Sequence, residues 1–575
     1  MKKLVFGLVA LMVVLGVIGA QCPPPPAPTV APTKPPEATK APQPTKVPEP
    51  TKKPEPTYIN LNLGTEPPTA DPQLATDTTS VQVDELLFLG LTDFDDKTLE
   101  VIPELAEKWS VSADGLKWTF NMRKDIYWVH YSPADGKVEK KRPVTAHDVE
   151  YAVKRCLDPA TASDYAYVLY IIKGGEAFNT ATVTDAAALK DAVGVKALDD
   201  YTVEFELVAP AGYFPGIAGM WVARPVPKEV IEEHKDKWTE AGNIWTNGPY
   251  CLHSWEHDNK MVMVKNPEHP DAANVQIDQI NWYMIVEAST AMAMYENGEL
   301  DVTGPPSEDL DRIKADPVMS KELYIAPVLC TYYYGFNTTK EPVNNKNVRR
   351  ALSYAVDRKT LIATVLKAGQ KPAKTFACPG IFGSPAEDPN FKGIEFDPEQ
   401  AKKELELAGY PGGKGLPKIT LMFNTSEGHK KIAEFIQANW KEYLGVEVEL
   451  ANQEWKVYLK TLDEDAPQIY RLGWCADYPD ENNWVLEVFH STKGANRIKW
   501  SNAEFDQLTE QAAFESDPAK RKELYFKAEK ILCVDEAGII PIYYYTRVVL
   551  TKSYVTRTYA PLGGEHINFW KINRP

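Results

Sequence analysis

The sequence is poor in the short signatures that mark a catalyst. It contains no Gly-x-Ser-x-Gly elbow, no His-Glu-x-x-His helix and no Walker A loop. Gly412-Gly413-Lys414-Gly415 has the glycines and lysine of a phosphate loop, but no Ser or Thr follows the lysine to hold a magnesium ion. Histidine is scarce, with nine residues scattered over 575. His253 and His257 stand four apart in a segment that does not read as helix, so surface positions are expected rather than a metal pair. No Cys-x-x-Cys occurs, which removes support for a zinc ribbon or a thioredoxin-type centre. Neither a metal nor a cofactor is expected. Positive charge is also short: 63 Lys and Arg stand against 80 Asp and Glu, a formal net charge of −17. That balance argues against nucleic acid as a partner.

A long apolar run occurs at the front, from Leu4 to Ile18, behind Lys2 and Lys3 and ahead of Gly19-Ala20-Gln21-Cys22. A charged start, a run short for a spanning helix and small residues before a cysteine make an export signal. The stretch resembles a bacterial lipoprotein leader, residues 1–22, in which Cys22 is lipidated and begins the mature chain. Gln21 departs from that pattern, which favours Gly, Ala or Ser there. The competing reading is an uncleaved membrane anchor. Residues 23–57 repeat Pro with Thr, Lys, Glu and Ala, which favours polyproline II and cannot form a core. About 35 residues at ~3.1 Å each would give a stalk of up to ~100 Å. The chain is therefore expected at the cell surface or in the periplasm, reaching the membrane through a lipid anchor only. Seven cysteines are present, leaving six beside Cys22. An even number suits an oxidising compartment, and local sequence leaves about 15 pairings open.

At this length one core is too few, and two or three domains are expected. Tyr58 to Leu63 alternates with period two and ends at Gly64, as a strand does. Lys418 to Phe423 is a second strand; Ile432, Phe435, Ile436, Trp440 and Leu444 follow on one helical face; Val446, Val448 and Leu450 alternate again. This is a βαβ unit whose strands should run parallel. Asp397-Pro398 opens a helix over 399–408 that closes at Gly409, and Asp517-Pro518 opens another running towards Asp535. Gly538 to Tyr545 reads as a strand in which Tyr543 and Tyr545 share one side and Tyr544 takes the other.

Arg471-Leu472-Gly473-Trp474-Cys475-Ala476-Asp477-Tyr478 ends a short strand soon after Asn452-Gln453-Glu454-Trp455-Lys456. A carboxylate among tryptophans suits a free ammonium group, because apolar walls strengthen each polar contact. A zwitterionic, amphipathic ligand such as a peptide matches that chemistry. In open α/β sheets ligands bind beyond the carboxyl ends of strands, near which Asp477 and Tyr545 both lie.

From about Tyr58 onwards the chain resembles the oligopeptide-binding proteins of the dipeptide/oligopeptide branch (family 5) of ABC-transporter solute-binding proteins. The resemblance runs through Ala106-Glu107-Lys108-Trp109, Pro143-Val144-Thr145-Ala146-His147-Asp148, Gly194 to Asp200, Asn243 to Gly248, Cys330-Thr331-Tyr332-Tyr333-Tyr334, Asn452 to Lys456 and Gly473 to Tyr478. It implies an α/β, two-lobe, periplasmic-binding-protein-like fold of type II with an extra inserted α+β domain. The first lobe would be 58–88, 228–329 and 547–575, the insertion 89–227, and the second lobe 330–546. Asp477 would receive the peptide α-ammonium, while the backbone around Cys475 and Thr76–Thr78 would pair with the peptide main chain. Tyr165, Trp455, Trp474, Tyr333 and Tyr545 would line side-chain pockets, and Arg471 and His429 would lie near the peptide carboxylate. Cys330 and Cys475 would form a disulfide. Leu366, Leu462 and Gly304-Pro305 depart from the family pattern, which puts carboxylate recognition and peptide length in question.

Structural alternatives stand beside these roles. Asp477 could be ion-paired with Arg471, Trp455 and Trp474 could be plain core, His429 could serve only its helix turn, and Tyr165 could be an exposed packing residue. The functional expectation is a monomeric, non-enzymatic binding protein that captures oligopeptides and delivers them to an ABC permease, whose ATPase subunits supply the energy. The alternatives are the same fold holding a sugar, nickel chelate or other small amphipathic solute, or a surface hydrolase or sensor ectodomain. A hydrolase would need a nucleophile–base pair, and a sensor would need a spanning helix after the domain; neither is read here.

Overall fold

The computed structural model describes residues 56–564 and 566–574. The expected leader, Cys22 and nearly all of the 23–57 stalk lie outside the described residues.

One large mixed sheet organises the fold. Its order runs Tyr250–Glu256, Lys260–Lys265, Gln279–Tyr283, Tyr58–Asn62, Val302–Thr303, Ile539–Thr551, Leu323–Phe336, Ile469–Cys475, Ile419–Asn424, Val448–Gln453. The central pair, Leu323–Phe336 and Ile539–Thr551, is antiparallel and long enough to belong to both halves of the sheet. Their register breaks between Pro327 and Thr331, where Pro327 has no N–H to give a ladder. Tyr58–Asn62 pairs parallel with Gln279–Tyr283, residues more than 200 positions away, which ties the start of the chain into the first half.

The second half is built on the βαβ unit read from the sequence. Ile419–Asn424 and Val448–Gln453 are parallel, in register from Ile419↔Val448 to Asn424↔Gln453. Between them, Glu427–Leu444 starts at Ser426, whose side chain accepts from the His429 N–H, and stops at Gly445 with φ 68°. Ile432, Ile436, Trp440 and Leu444 are buried with the helical period; Phe435, at the edge of that stripe, is only half-buried. Asp397 and Asp517 cap their helices by accepting two backbone N–H groups each. The helix expected to reach Asp535 instead ends at Lys530 and widens into a π-turn, Ile531–Asp535, closed by the Glu536 N–H on the Ile531 carbonyl.

Smaller sheets fill residues between these halves. Ala106–Val111, Lys117–Met122, Thr202–Glu206 and Val195–Asp199 form an antiparallel four-stranded sheet in the spatial order 106–117–202–195. The helix Ala146–Leu157 packs beside it behind a capping box of Thr145 and Asp148.

Cys330 and Cys475 face each other across adjacent antiparallel strands and are joined by a disulfide. Cys156, Cys251, Cys378 and Cys533 are buried free thiols. His253 lies on a strand against the Tyr131 hydroxyl, and His257 pairs with Glu66 at 2.6 Å. No helix among the described residues is long and apolar enough to cross a membrane.

Candidate functional site

The strand Ile469–Cys475 sets the geometry through its alternation. Leu472, Trp474 and Ala476 point into the core, while Gly473, Cys475 and Asp477 are partly open. Its edges are unequal. On one side it pairs with Leu323–Phe336 from Phe336↔Ile469 to Cys330↔Cys475. On the other, Ile419–Asn424 reaches only Ile469 and Tyr470. From Arg471 to Cys475 the strand therefore has a ladder partner on one side only. An extended chain can be added along such an edge.

Asp477 lies just past the end of that edge. Its Oδ2 accepts from the Tyr165 hydroxyl at 3.0 Å and from Asn483 Nδ2 at 2.8 Å. Both donors are neutral, and Asp477 makes no ion pair among the described residues. Burial pushes its carboxyl up to about 7, against the hydrogen bonds from Asn483 and Tyr165. Asn483 also reaches Glu487, whose carboxyl burial raises to about 8, so Glu487 carries its proton at neutral pH. Asp477 is thus a desolvated, orderly carboxylate without a countercharge.

The ion pair between Asp477 and Arg471 does not form. Arg471 lies within the strand and Asp477 two residues past its end, so that six residues of extended chain separate their backbones by up to about 20 Å. Arg471 instead donates to Asn424 Oδ1 at 3.0 Å and to the Tyr545 hydroxyl, with its guanidinium 4.6 Å above the Tyr332 ring. Every partner is neutral, and buried Nε has none. His429 joins this cluster through the Tyr332 hydroxyl, and burial together with the Arg471 charge holds its ring well below the usual range, hence neutral. The two ends of the edge carry opposite charges, each lacking a counterion.

A third element comes from the first half of the sheet's surroundings. Asp77 caps the helix Thr78–Leu87 by accepting from Thr79 and Ser80, and its Oδ1 also accepts from Trp455 Nε1 at 3.2 Å. That bond joins residues 378 positions apart. A cavity of about 490 Å3 opens between the helix and the strand end, with Thr78, Cys475 and Asp477 in its wall. This volume suits a small-molecule or short-peptide ligand.

The other expected residues sit around this space rather than in its wall. Tyr165 is 4% exposed, not a surface residue; it stacks on Trp474 at an interplanar angle of 12° and backs Asp477. Trp474 is buried core, with Nε1 on Asn483 Oδ1. Trp455 is half-buried, stacked on Tyr458. Tyr333, expected to line a side-chain pocket, lies opposite Leu472 on the core face, edge-on to Phe376 and Phe489. Tyr332, opposite Gly473, is the tyrosine on the Arg471 face. Cross-strand parity is the signal that separates the two, and it requires the register. Lys367, next to Leu366, is engaged with Asp311 at 2.8 Å.

These features define a type II periplasmic binding protein, a two-halved α/β fold with its ligand cavity between the halves. The model for bacterial extracellular solute-binding proteins, family 5 (middle region), matches residues 100–496, and the chain belongs to that family. The oligopeptide-binding protein OppA of Bacillus subtilis is 37% identical over 500 residues, 85% of this chain and 88% of its own length. The solved OppA of Haemophilus influenzae in complex with the peptide RPPGFSPFR superposes with a TM-score of 0.80 at 30% identity, covering 90% of this chain and 99% of that one. The murein tripeptide-binding protein MppA of Escherichia coli is 32% identical in two solved forms. One gives a TM-score of 0.81 over 91% of this chain and 99% of its own; the form described as unliganded and open gives 0.60 over 90% and 98%. The halves are therefore disposed here unlike those of that open form.

Proposed function

We propose that this chain captures oligopeptides in the cavity between its halves and delivers them to an ABC permease whose ATPase subunits drive uptake. The observation that carries this reading is Asp477, a desolvated carboxylate held by neutral donors alone at the end of a one-sided strand. A peptide adds its main chain along the edge from Arg471 to Cys475 and presents its α-ammonium to Asp477. Arg471, with neutral His429 beside it, is the group for the opposite end of the peptide. A neutral sugar would leave both charges buried and uncompensated, a costly state. The names of the relatives above, two oligopeptide-binding proteins and a murein tripeptide-binding protein, support the same class of ligand.

The first lobe is 58–88, 228–329 and 547–575, the insertion 89–227 and the second lobe 330–546, with Asp77–Trp455 and Tyr165–Asp477 bridging them when closed. The protein works as a monomer outside the cytoplasm, exported by residues 1–22 and tethered through lipidated Cys22 and the 23–57 stalk.

The test is mass spectrometry of material released from the purified protein, followed by calorimetry with tri- to pentapeptides. Recovery of peptides and binding of free-amino peptides are expected; recovery of a sugar or metal chelate, with no peptide bound, would overturn the reading.

Affinity should also depend on pH. Because the carboxyl titrates near 7 in the free protein, and an ammonium partner would lower that value, a proton must leave for the peptide to bind. The binding constant should pass through a maximum between about pH 7 and 8, falling towards tenfold per unit below it as Asp477 takes up its proton and again above it as the peptide α-amino group, with a pKa of about 8, loses its own. The unliganded fold has the opposite linkage: with the folded carboxyl above its unfolded value of about 4, stability declines as pH rises from there through 7. Calorimetry and thermal melts across pH 5 to 9 read both.

Trp455→Phe keeps the ring and removes the donor to Asp77. Peptide affinity is expected to fall roughly three- to tenfold, as for one hydrogen bond of about 0.5–1.5 kcal/mol, with the melting temperature little changed. An unchanged affinity would mean that this bond does not contribute to closure.

A further inference from the structure

The helix Thr78–Leu87 presents two faces. Ser80, Val83, Asp84, Leu86 and Leu87 are buried in the core, while Thr78, Gln82 and Glu85, spaced four and three apart, lie along the cavity. Glu85 is thus roughly 10 Å along the axis from Thr78, the span of about three residues of an extended chain. Its carboxylate makes no hydrogen bond or ion pair with any described residue. The nearby charges are otherwise engaged. Asp93 and Asp96 both hold His566, at 3.0 and 2.6 Å. Buried Arg224 donates to the carbonyls of Phe88 and Gly219. Arg547 donates to the Gly563 carbonyl, and the Arg557 guanidinium lies 4.1 Å over the Trp570 ring. Gly564 packs close to Glu85: a Cβ there would lie 3.2 Å from Glu85 Oε2, so glycine at this position keeps the carboxylate from being crowded. Burial raises the Glu85 carboxyl, with the Arg224 charge opposing, so this group too would be stabilised by a cation brought to it.

We propose that Glu85 is a specificity residue of the ligand cavity, which accepts a basic side chain of the bound peptide in a charge-assisted contact with that carboxylate. The inference rests on the peptide reading and adds a sequence preference to it. An aliphatic side chain at the same position fills the space but leaves the carboxylate desolvated and unpaired; a lysine or arginine reaches it with its stem along the apolar wall and its charge at the oxygens.

The experiment is a positional scan with tetra-alanine, in which each residue in turn is replaced by lysine or by norleucine, its uncharged counterpart of similar length. Calorimetry compares the wild-type protein with Glu85→Gln. At one position the wild type should bind the lysine peptide at least about tenfold more tightly than the norleucine peptide, and Glu85→Gln should reduce that ratio to below about two. Tetra-alanine itself should bind both proteins within about twofold, which shows that the variant is folded and its cavity intact. Equal binding of lysine and norleucine at every position, a preference that survives in Glu85→Gln, or loss of tetra-alanine binding by the variant would each overturn the proposal. If no tetrapeptide binds the wild type, peptide capture itself falls and this inference with it; if peptides bind without a basic preference, only this inference falls.

Discussion

Asp477→Asn is expected to weaken binding of a free-amino tetrapeptide about 100-fold while leaving the fold unchanged. The amide has the shape of the carboxylate, and its oxygen can still accept from Tyr165 and Asn483, which anchor the side chain now. The variant loses only the negative charge. Removing one partner of a desolvated, hydrogen-bonded charge pair costs roughly 2–5 kcal/mol, and 100-fold is about 2.7 kcal/mol. N-acetylation of the peptide removes the same interaction from the other side. It should cost wild type about the same factor and cost Asp477→Asn almost nothing, the non-additivity that identifies two groups in contact. Glu487 offers a control. It lies behind Asn483 and is neutral at pH 7, so Glu487→Gln should change affinity far less than Asp477→Asn. If the acetylated and free peptides bind wild type equally, the ammonium is recognised elsewhere.

The contrast between Asp477 and its partners shows how much of this site was legible in the sequence. Periodicity alone carried the βαβ unit: alternation over Ile419–Asn424 and Val448–Gln453, a 3.6-residue period at Ile432, Ile436 and Trp440, and capping residues at the turns. The same logic bears on the rival ion pair, since six residues of extended chain carry Arg471 and Asp477 too far apart for their side chains to touch. Tyr165 is different in kind. It meets Asp477 across 312 residues, and no local pattern marks a loop tyrosine for that contact. Tyr332 and Tyr333 pose a third kind of question. Three consecutive tyrosines alternate faces, but which face holds the site depends on pairing with Gly473 and Leu472, a fact of register. Glu85 was within reach: once Thr78 is placed at the cavity, the helical period puts position 85 there as well.

Replacing both Cys330 and Cys475 with alanine is the second change with a large expected effect. The bridge spans 145 residues, so in the unfolded chain it closes a loop whose entropy is worth about 5 kcal/mol on the chain-entropy account, and removal of native disulfides commonly costs about 2–5 kcal/mol. Urea unfolding of the double variant should show a lower midpoint by that order, and a reducing agent should bring wild type to the same value. The strands remain paired without the bond, through the ladder from Tyr332↔Gly473 to Phe336↔Ile469, so the fold should persist at moderate temperature. Binding should respond separately. Cys475 is the last residue of the one-sided edge and stands two positions before Asp477, so freeing it lets the strand end fray where the ammonium is held. Peptide affinity is therefore expected to drop with the disulfide by a smaller factor than in Asp477→Asn, through faster release rather than slower capture. A double variant that unfolds at the wild-type midpoint would mean that the unfolded chain is already constrained there. A variant that loses stability but binds with wild-type affinity would show that the ladder alone fixes Asp477 in place.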